Sequence, residues 1–192
     1  MSGVLRYLSH PQVRVDPAVA VPDWGLSDIG RSRTESVSHS HSLQSTTSII
    51  SSSERKAVET ADMLARPLKL KVQERPATHE NDRSATGFLS PDVFEDTANR
   101  FFERPHQSID GWERAIDAQG RIVTEVISAI QDHGAGDLLI VGHGGVGTLL
   151  YCYFASVPIS RAFDQPAGGG NFFKIDLATR HPIHHWLPME EL

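Results

Sequence analysis

Asp137-Leu-Leu-Ile-Val-Gly-His-Gly-Gly-Val-Gly-Thr-Leu-Leu150 decides the fold of this chain. A short apolar run, Leu138 to Val141, stops at a histidine held between glycines, and apolar residues resume at Leu149 and Leu150. The pattern predicts a buried parallel strand, a tight turn and then a helix. Open α/β sheets bind ligands beyond the carboxyl ends of their strands, so the strand delivers His143 into a site. A second histidine has the same setting near the N-terminus, in Val4-Leu-Arg-Tyr-Leu-Ser-His-Pro-Gln-Val13, where another apolar run ends at His10.

The rest of the chain supplies the other elements of such a sheet. Residues 3–9 read as a first strand and residues 45–51, with Thr46, Thr47, Ile49 and Ile50, as a second. Between them Leu26-Ser-Asp-Ile-Gly30 opens a polar helix expected to run to about Leu43. Nine of the eighteen residues from Ser36 to Ser53 are serine, a linker-like composition, but the β-branched core of the stretch argues for a strand. Ser51-Ser-Ser-Glu54 matches a capping box ahead of the helix Lys56-Ala-Val-Glu-Thr-Ala-Asp-Met-Leu-Ala65. A third strand is expected over Leu68 to Val72, after a break at Pro67.

Residues 80–110, polar and carrying Gly87, Pro91 and Pro105, read as an insertion that folds over a site; Phe88, Phe94, Phe101 and Trp112 are candidate contacts or ordinary core. A long amphipathic helix is expected from Gly111 to about His133, on the stripe of Ala115, Ile122, Val126 and Ile130, closed by Gly134 and Gly136. Phe172 to Leu177 and Pro182 to Leu187 read as a terminal hairpin. Strands alternating with helices predict one α/β domain over residues 1–192: a three-layer α/β/α sandwich with a mostly parallel central sheet.

Composition narrows the function. The hydrophobic fraction is 39% before glycine is counted, and 15 glycines bring it into the ordinary globular range of about 45–50%. The net charge of −6 supplies no basic field for nucleic acid or anionic lipid, so neither is expected as a partner and any anion site must be built locally. The single cysteine, Cys152, lies in an apolar stretch and reads as packing. There is no apolar run of membrane-spanning length and no signal-peptide pattern, which predicts a cytoplasmic protein. Nothing in the sequence specifies an oligomeric state.

Two strand-end histidines suit covalent phosphoryl chemistry. A neutral imidazole nitrogen is nucleophilic near neutral pH, and a phosphohistidine divides one difficult displacement into two easier ones. Donors must surround the transferring group and a carboxylic acid must protonate the leaving alcohol. His143, the basic helix start Arg55-Lys56 and Glu80 are candidates for those roles.

Leu8-Ser-His-Pro11, Leu26-Ser-Asp-Ile-Gly30, Ser51-Ser-Ser-Glu-Arg-Lys-Ala-Val-Glu-Thr-Ala61 and Gly142-His-Gly-Gly145 together resemble the histidine phosphatase superfamily, with its phosphoglycerate mutase-like fold. The resemblance spans nearly the whole chain. It implies that His10 is the phosphorylated nucleophile, that His143 contacts the phosphoryl group and that Glu80, in His79-Glu-Asn-Asp-Arg83, is the general acid, with Asp82 as the competing carboxylate. It implies a small phosphorylated substrate, no cofactor and no metal, and hydrolysis rather than mutase activity. Two departures stand out. Ser9-His10-Pro11 replaces the usual Arg-His-Gly, and Lys56 stands where a second phosphate-binding arginine is usual, with Arg55 one position off. Lysine keeps the charge but loses bidentate geometry. Arg6, Arg14 or Arg55 are the available substitutes for the missing guanidinium, and a weak or inactive phospho-ligand or partner-binding module is the alternative to an enzyme.

Two further motifs compete. Gly142-His-Gly-Gly-Val-Gly147 formally matches a dinucleotide-binding G-x-G-x-x-G, with Asp164 or Asp176 as the acidic partner, but only 45 residues follow it. His184 and His185 invite a metal reading, yet neighbours on a strand point to opposite faces, so a solvated edge strand is expected instead.

Overall fold

In a computed structural model, which describes residues 3–192, six strands form a single sheet. They are β1 (Val4–Ser9), β2 (Thr46–Ser51), β3 (Val72–Glu74), β4 (Asp137–Gly142), β5 (Asn171–Asp176) and β6 (Pro182–Pro188), in the spatial order β3-β2-β4-β1-β5-β6. The joints from β3 through β2 and β4 to β1 are parallel, and β5 and β6 add antiparallel at one edge. The helices are α1 (Asp28–Val37), α2 (Arg55–Leu68), α3 (Pro91–Glu103), α4 (Ala115–Asp132) and α5 (Gly144–Phe154).

The period of two along each strand sorts side chains into two cores. Leu5, Tyr7, Leu138, Ile140, Phe173 and Ile175 point to one face, where α3, α4 and α5 cover them with Phe101, Ile122, Val126, Ile130 and Leu149. Leu8, Ile49, Leu139, Val141 and Phe172 point to the other, against Ala57, Ala61 and Leu64 of α2 and Val37 of α1. Central strands buried on both faces are what a near-continuous apolar run such as Leu138–Val141 requires. The sandwich expected from the sequence is therefore present, with layers of two and three helices.

Several boundaries differ from the sequence expectation, each for a local reason. α1 stops at Val37 because Ser38 turns its hydroxyl onto the Glu35 carbonyl, and a separate 3₁₀ turn occupies His41–Leu43. α2 carries Pro67 inside its last turn and ends at Leu68, with Lys69 left-handed at φ 56, so β3 starts only at Val72. α4 starts at Ala115 because Asp110 and Gly111 have positive φ. The 80–110 segment is not merely a loop: it contains α3, whose Phe101 and Phe102 are buried against Trp112. The capping box does not form. Glu54 is the N-cap residue of α2 but makes no cap hydrogen bond with its side chain. No helix among the described residues is long and apolar enough to cross a membrane.

Candidate active site

Strand register assembles the site. Ser9 pairs with Gly142 and Ser51 with Val141, so the parallel strands β1, β2 and β4 end together and release His10, Ser52 and His143 at the carboxyl end of the sheet. The His10 amide donates to the Gly142 carbonyl (2.9 Å), and the two imidazole rings meet edge to face with centroids 5.3 Å apart.

Each ring is held from behind. The His10 Nδ1 lies 2.8 Å from the Pro11 carbonyl, an acceptor only, so Nδ1 carries the proton and Nε2 keeps its lone pair. His143 is fully buried; its Nε2 is 2.7 Å from the Ser52 hydroxyl and 3.5 Å from Glu54 Oε1, while Nδ1 has no partner among the described residues. Its backbone is clamped by Tyr7, whose hydroxyl donates to the His143 carbonyl (3.0 Å) and accepts the His143 amide (3.1 Å). Burial pushes the Tyr7 phenol far up, so it stays a neutral donor. Close approach explains two of the glycines: a Cβ on Gly142 would meet the Tyr7 oxygen at 2.4 Å, and one on Gly147 would meet the Tyr7 ring at 2.4 Å. These glycines admit Tyr7, which accounts for them without a bound dinucleotide.

Both histidines are held neutral at physiological pH. Burial, together with the neighbouring His143 and Lys56, lowers the His10 pKa to about 3. Burial also lowers that of His143, against the pull of Glu54 and Glu80. A neutral His10 with a free Nε2 is a competent nucleophile without prior deprotonation.

Glu80, Lys56 and Glu54 lie around the pair, and Asp82 does not. The Glu80 carboxylate caps the start of α5, accepting from the Gly145 (3.1 Å) and Val146 (2.9 Å) amides, and shares a cavity of about 400 Å³ with His10. Burial works to raise its pKa, but His143, Arg83 and the Val146 amide outweigh it, so Glu80 rests ionised. Asp82 instead closes an exposed turn onto the Ser84 amide (2.8 Å). Lys56 is 3% exposed, and its ammonium donates to the Val21 carbonyl (2.8 Å) and to Glu54.

The structure thus brings His10, His143, Glu80 and Lys56 together and leaves Arg55 outside. Arg55 is largely exposed, pairs with Glu59 (2.9 Å) and lines a different cavity with Arg14 and Arg31. Arg6 is at the opposite end of the sheet, in a buried pair with Asp137 (2.7 Å). None of Arg6, Arg14 and Arg55 replaces the arginine missing beside His10. Ser9 in that position is a staple, donating to Gln165 (2.5 Å) and accepting the Asn171 amide (3.1 Å). Two guanidinium groups do line the His10 cavity: Arg161, paired with Glu95 and Asp164, and Arg83, stacked on Phe94 (5.1 Å) and Trp112 (5.6 Å) with no carboxylate partner among the described residues.

Sequence reasoning missed Arg83 and Glu54 at this site and named Asp164 only as the acidic partner of a dinucleotide motif. Arg83 was visible only as part of a polar loop, and Glu54 was read as a cap. Asp164 lines the His10 cavity and accepts from the Thr148 hydroxyl (2.9 Å); burial raises its pKa. Of the aromatics, Phe101 and Trp112 are core residues that also line this cavity, whereas Phe88 is exposed against Trp24. His184 and His185 face opposite ways on the edge strand β6, half-buried against Phe172 and Tyr151 respectively. Cys152 is buried with a raised pKa, as packing requires.

Comparison with known proteins agrees with this fold. The family model of the histidine phosphatase superfamily (branch 1) matches residues 14–183, a span that starts just after His10. Solved structures with the same fold include a mycobacterial glucosyl-3-phosphoglycerate phosphatase (19% identity, TM-score 0.78, covering 96% of this chain and 98% of that one). Others are the YhfR protein of Bacillus stearothermophilus (20%, 0.80, 96% and 95%) and a phosphoserine phosphatase of Entamoeba histolytica in complex with 3-phosphoglyceric acid (12%, 0.78, 99% and 100%). No curated protein matches the chain. With a family match over most of its length and the six-stranded sheet to carry it, the chain belongs to the histidine phosphatase superfamily.

Proposed function

We propose that this protein hydrolyses a small phosphate monoester through a phosphohistidine at His10. The observation that carries the reading is the edge-to-face pair of neutral histidines, with Nδ1 of His10 tied to the Pro11 carbonyl and Nε2 free. In the first step Nε2 of His10 forms a bond to phosphorus as the bond to the substrate oxygen breaks, and the leaving alkoxide takes a proton from Glu80. Glu80 rests ionised, but an anionic phosphoryl group arriving beside it raises its pKa and lets it collect that proton from solvent. In the second step water attacks phosphorus, the N–P bond breaks, and Glu80 takes the water's proton as orthophosphate forms. His143 and Lys56 face the transferring oxygens, and the cavity lined by Phe94, Arg83 and Asp164 receives the leaving group. Neither step calls on a metal or cofactor.

The test is hydrolysis of an aryl phosphate by the wild type and by His10→Ala in the presence of EDTA. Turnover that survives the chelator and vanishes in the variant is expected; turnover that persists in His10→Ala sinks the mechanism. A second reading, a phospho-ligand-binding module with little turnover, is favoured by one observation: Lys56 is already neutralised by Glu54. Orthophosphate binding without hydrolysis of any monoester would decide for it.

A further inference from the structure

Glu54 is a buried carboxylate for which the proposed chemistry has no use. It is 8% exposed, and its neighbours are the donors a phosphoryl group would seek: the Lys56 ammonium, the Glu80 amide (2.9 Å) and, at 3.5 Å, Nε2 of His143. Burial works to raise its pKa, but His143, Lys56 and the Glu80 amide hold it down at about 2, so it stays ionised wherever the protein is folded.

We propose that Glu54 acts as a resident anion in the phosphoryl site and makes the protein select singly charged phosphate groups over doubly charged ones. This rests on the reading of His10, His143 and Lys56 as a phosphoryl site. The charged and titratable groups around Glu54 come from each element beside it: Lys56 on its own helix, His143 at the start of α5, and Glu80 and Arg83 on the loop before α3. Both histidines are neutral, so Glu54 and Glu80 balance Lys56 and Arg83 and leave no net positive charge. An incoming dianion finds no net attraction to offset its larger desolvation, while a monoanion needs less and brings its own proton to donate to a carboxylate. The sequence pattern behind this is short: Glu54 lies two residues before Lys56, where the first turn of α2 folds one onto the other.

Isothermal titration of inorganic phosphate at about pH 5.5, where it is singly charged, and about pH 8, where it is mostly doubly charged, tests the proposal. The wild type should bind severalfold more tightly at the lower pH. Glu54→Gln, which keeps the shape and removes the charge, should bind on the order of tenfold more tightly at about pH 8 and lose most of the pH preference. Glu54→Asp should retain the wild-type ratio, and Glu54→Leu provides a second neutral variant should the glutamine form fail to fold. Equal pH ratios in the wild type and the neutral variants would overturn the proposal, as would absence of binding in all of them. Aryl phosphate turnover in the same samples separates the two claims. A Glu54-dependent pH ratio without hydrolysis defeats only the hydrolase reading, whereas His10-dependent hydrolysis with an unchanged ratio defeats only this one.

Discussion

Mild acid should destabilise this protein through His10, by an amount that can be worked out. The folded-state pKa of about 3 lies well below the ordinary imidazole value near 6.5, so below that value the unfolded chain binds a proton that the folded chain refuses. Stability from this residue is therefore complete above pH 6.5 and is lost as pH falls toward 3, at about 1.4 kcal/mol per unit. Between pH 7 and pH 5 the loss is about 2 kcal/mol, or roughly 4–8 °C in melting temperature for a chain of this size. His143, also lowered, adds in the same sense. Glu54 and Glu80 act in another window: their pKa values lie below the ordinary 4.5, so the stability they contribute is present above 4.5 and is lost only at lower pH. Urea unfolding of wild type and His10→Gln at both pH values isolates the imidazole, because everything else that titrates cancels in the difference. The wild type should lose about 2 kcal/mol more than the variant. Equal losses would mean that His10 titrates normally in the folded state, and the case for a neutral nucleophile would fail with it.

Other consequences are simpler to measure. Asp137 accepts from Arg6 (2.7 Å), the Val4 amide (2.9 Å) and Ser45, so Asp137→Ala strands a buried guanidinium and should cost about 3–5 kcal/mol in chemical denaturation; replacing both partners with apolar residues should recover most of it. Gly147→Ala drives a methyl group into Tyr7 (2.4 Å) and Trp186 (2.8 Å), costing about 1–3 kcal/mol and weakening phosphate binding through the Tyr7 clamp on His143; unchanged calorimetric stability would count against the packing. In a pH–rate series, kcat/KM should show no fall between about pH 7 and pH 5, since His10 stays neutral there, and an acid limb near 6.5 would contradict it.

How much of this was legible in the sequence follows from the range of each interaction. β1, β2, β4 and the two histidines were legible because an apolar run that stops at a histidine announces both its own end and what it delivers, whereas β3 lies beyond the stretch expected for it. Glu80 could be named but not separated from Asp82, since what distinguishes them is a distant helix start, where the Gly145 and Val146 amides claim one carboxylate and leave the other to a local turn. Lys56 and Arg55 are adjacent, and the choice between them was available: Ala57, Ala61, Leu64 and Leu68 mark the inward stripe of α2, Lys56 borders it, and Arg55 falls with Glu59 on the outer side. α3 was also available, with Pro91 at its first turn and Phe94, Ala98, Phe101 and Phe102 at helical spacing, but the polar composition of residues 80–110 reads as an insertion and hides it.

Glu54 was the least legible because a serine-rich turn followed by glutamate satisfies a local rule that the tertiary structure overrides. Its carboxylate is drawn inward by Lys56 and by groups from the Glu80 loop and the α5 start, none of which a capping pattern can see. Serine at position 9 and glutamate at position 54 act in one direction, lowering the positive charge around His10, while lysine at position 56 keeps its charge and gives up bidentate geometry. Decay of an abandoned site would leave polar groups orphaned at the altered positions, since nothing would select their partners. Ser9, Lys56 and Glu54 are instead hydrogen-bonded, while the buried Nδ1 of His143 has no partner among the described residues. Partnered residues beside an unpartnered imidazole nitrogen fit a retained anion site in which Glu54 offsets the charge of Lys56.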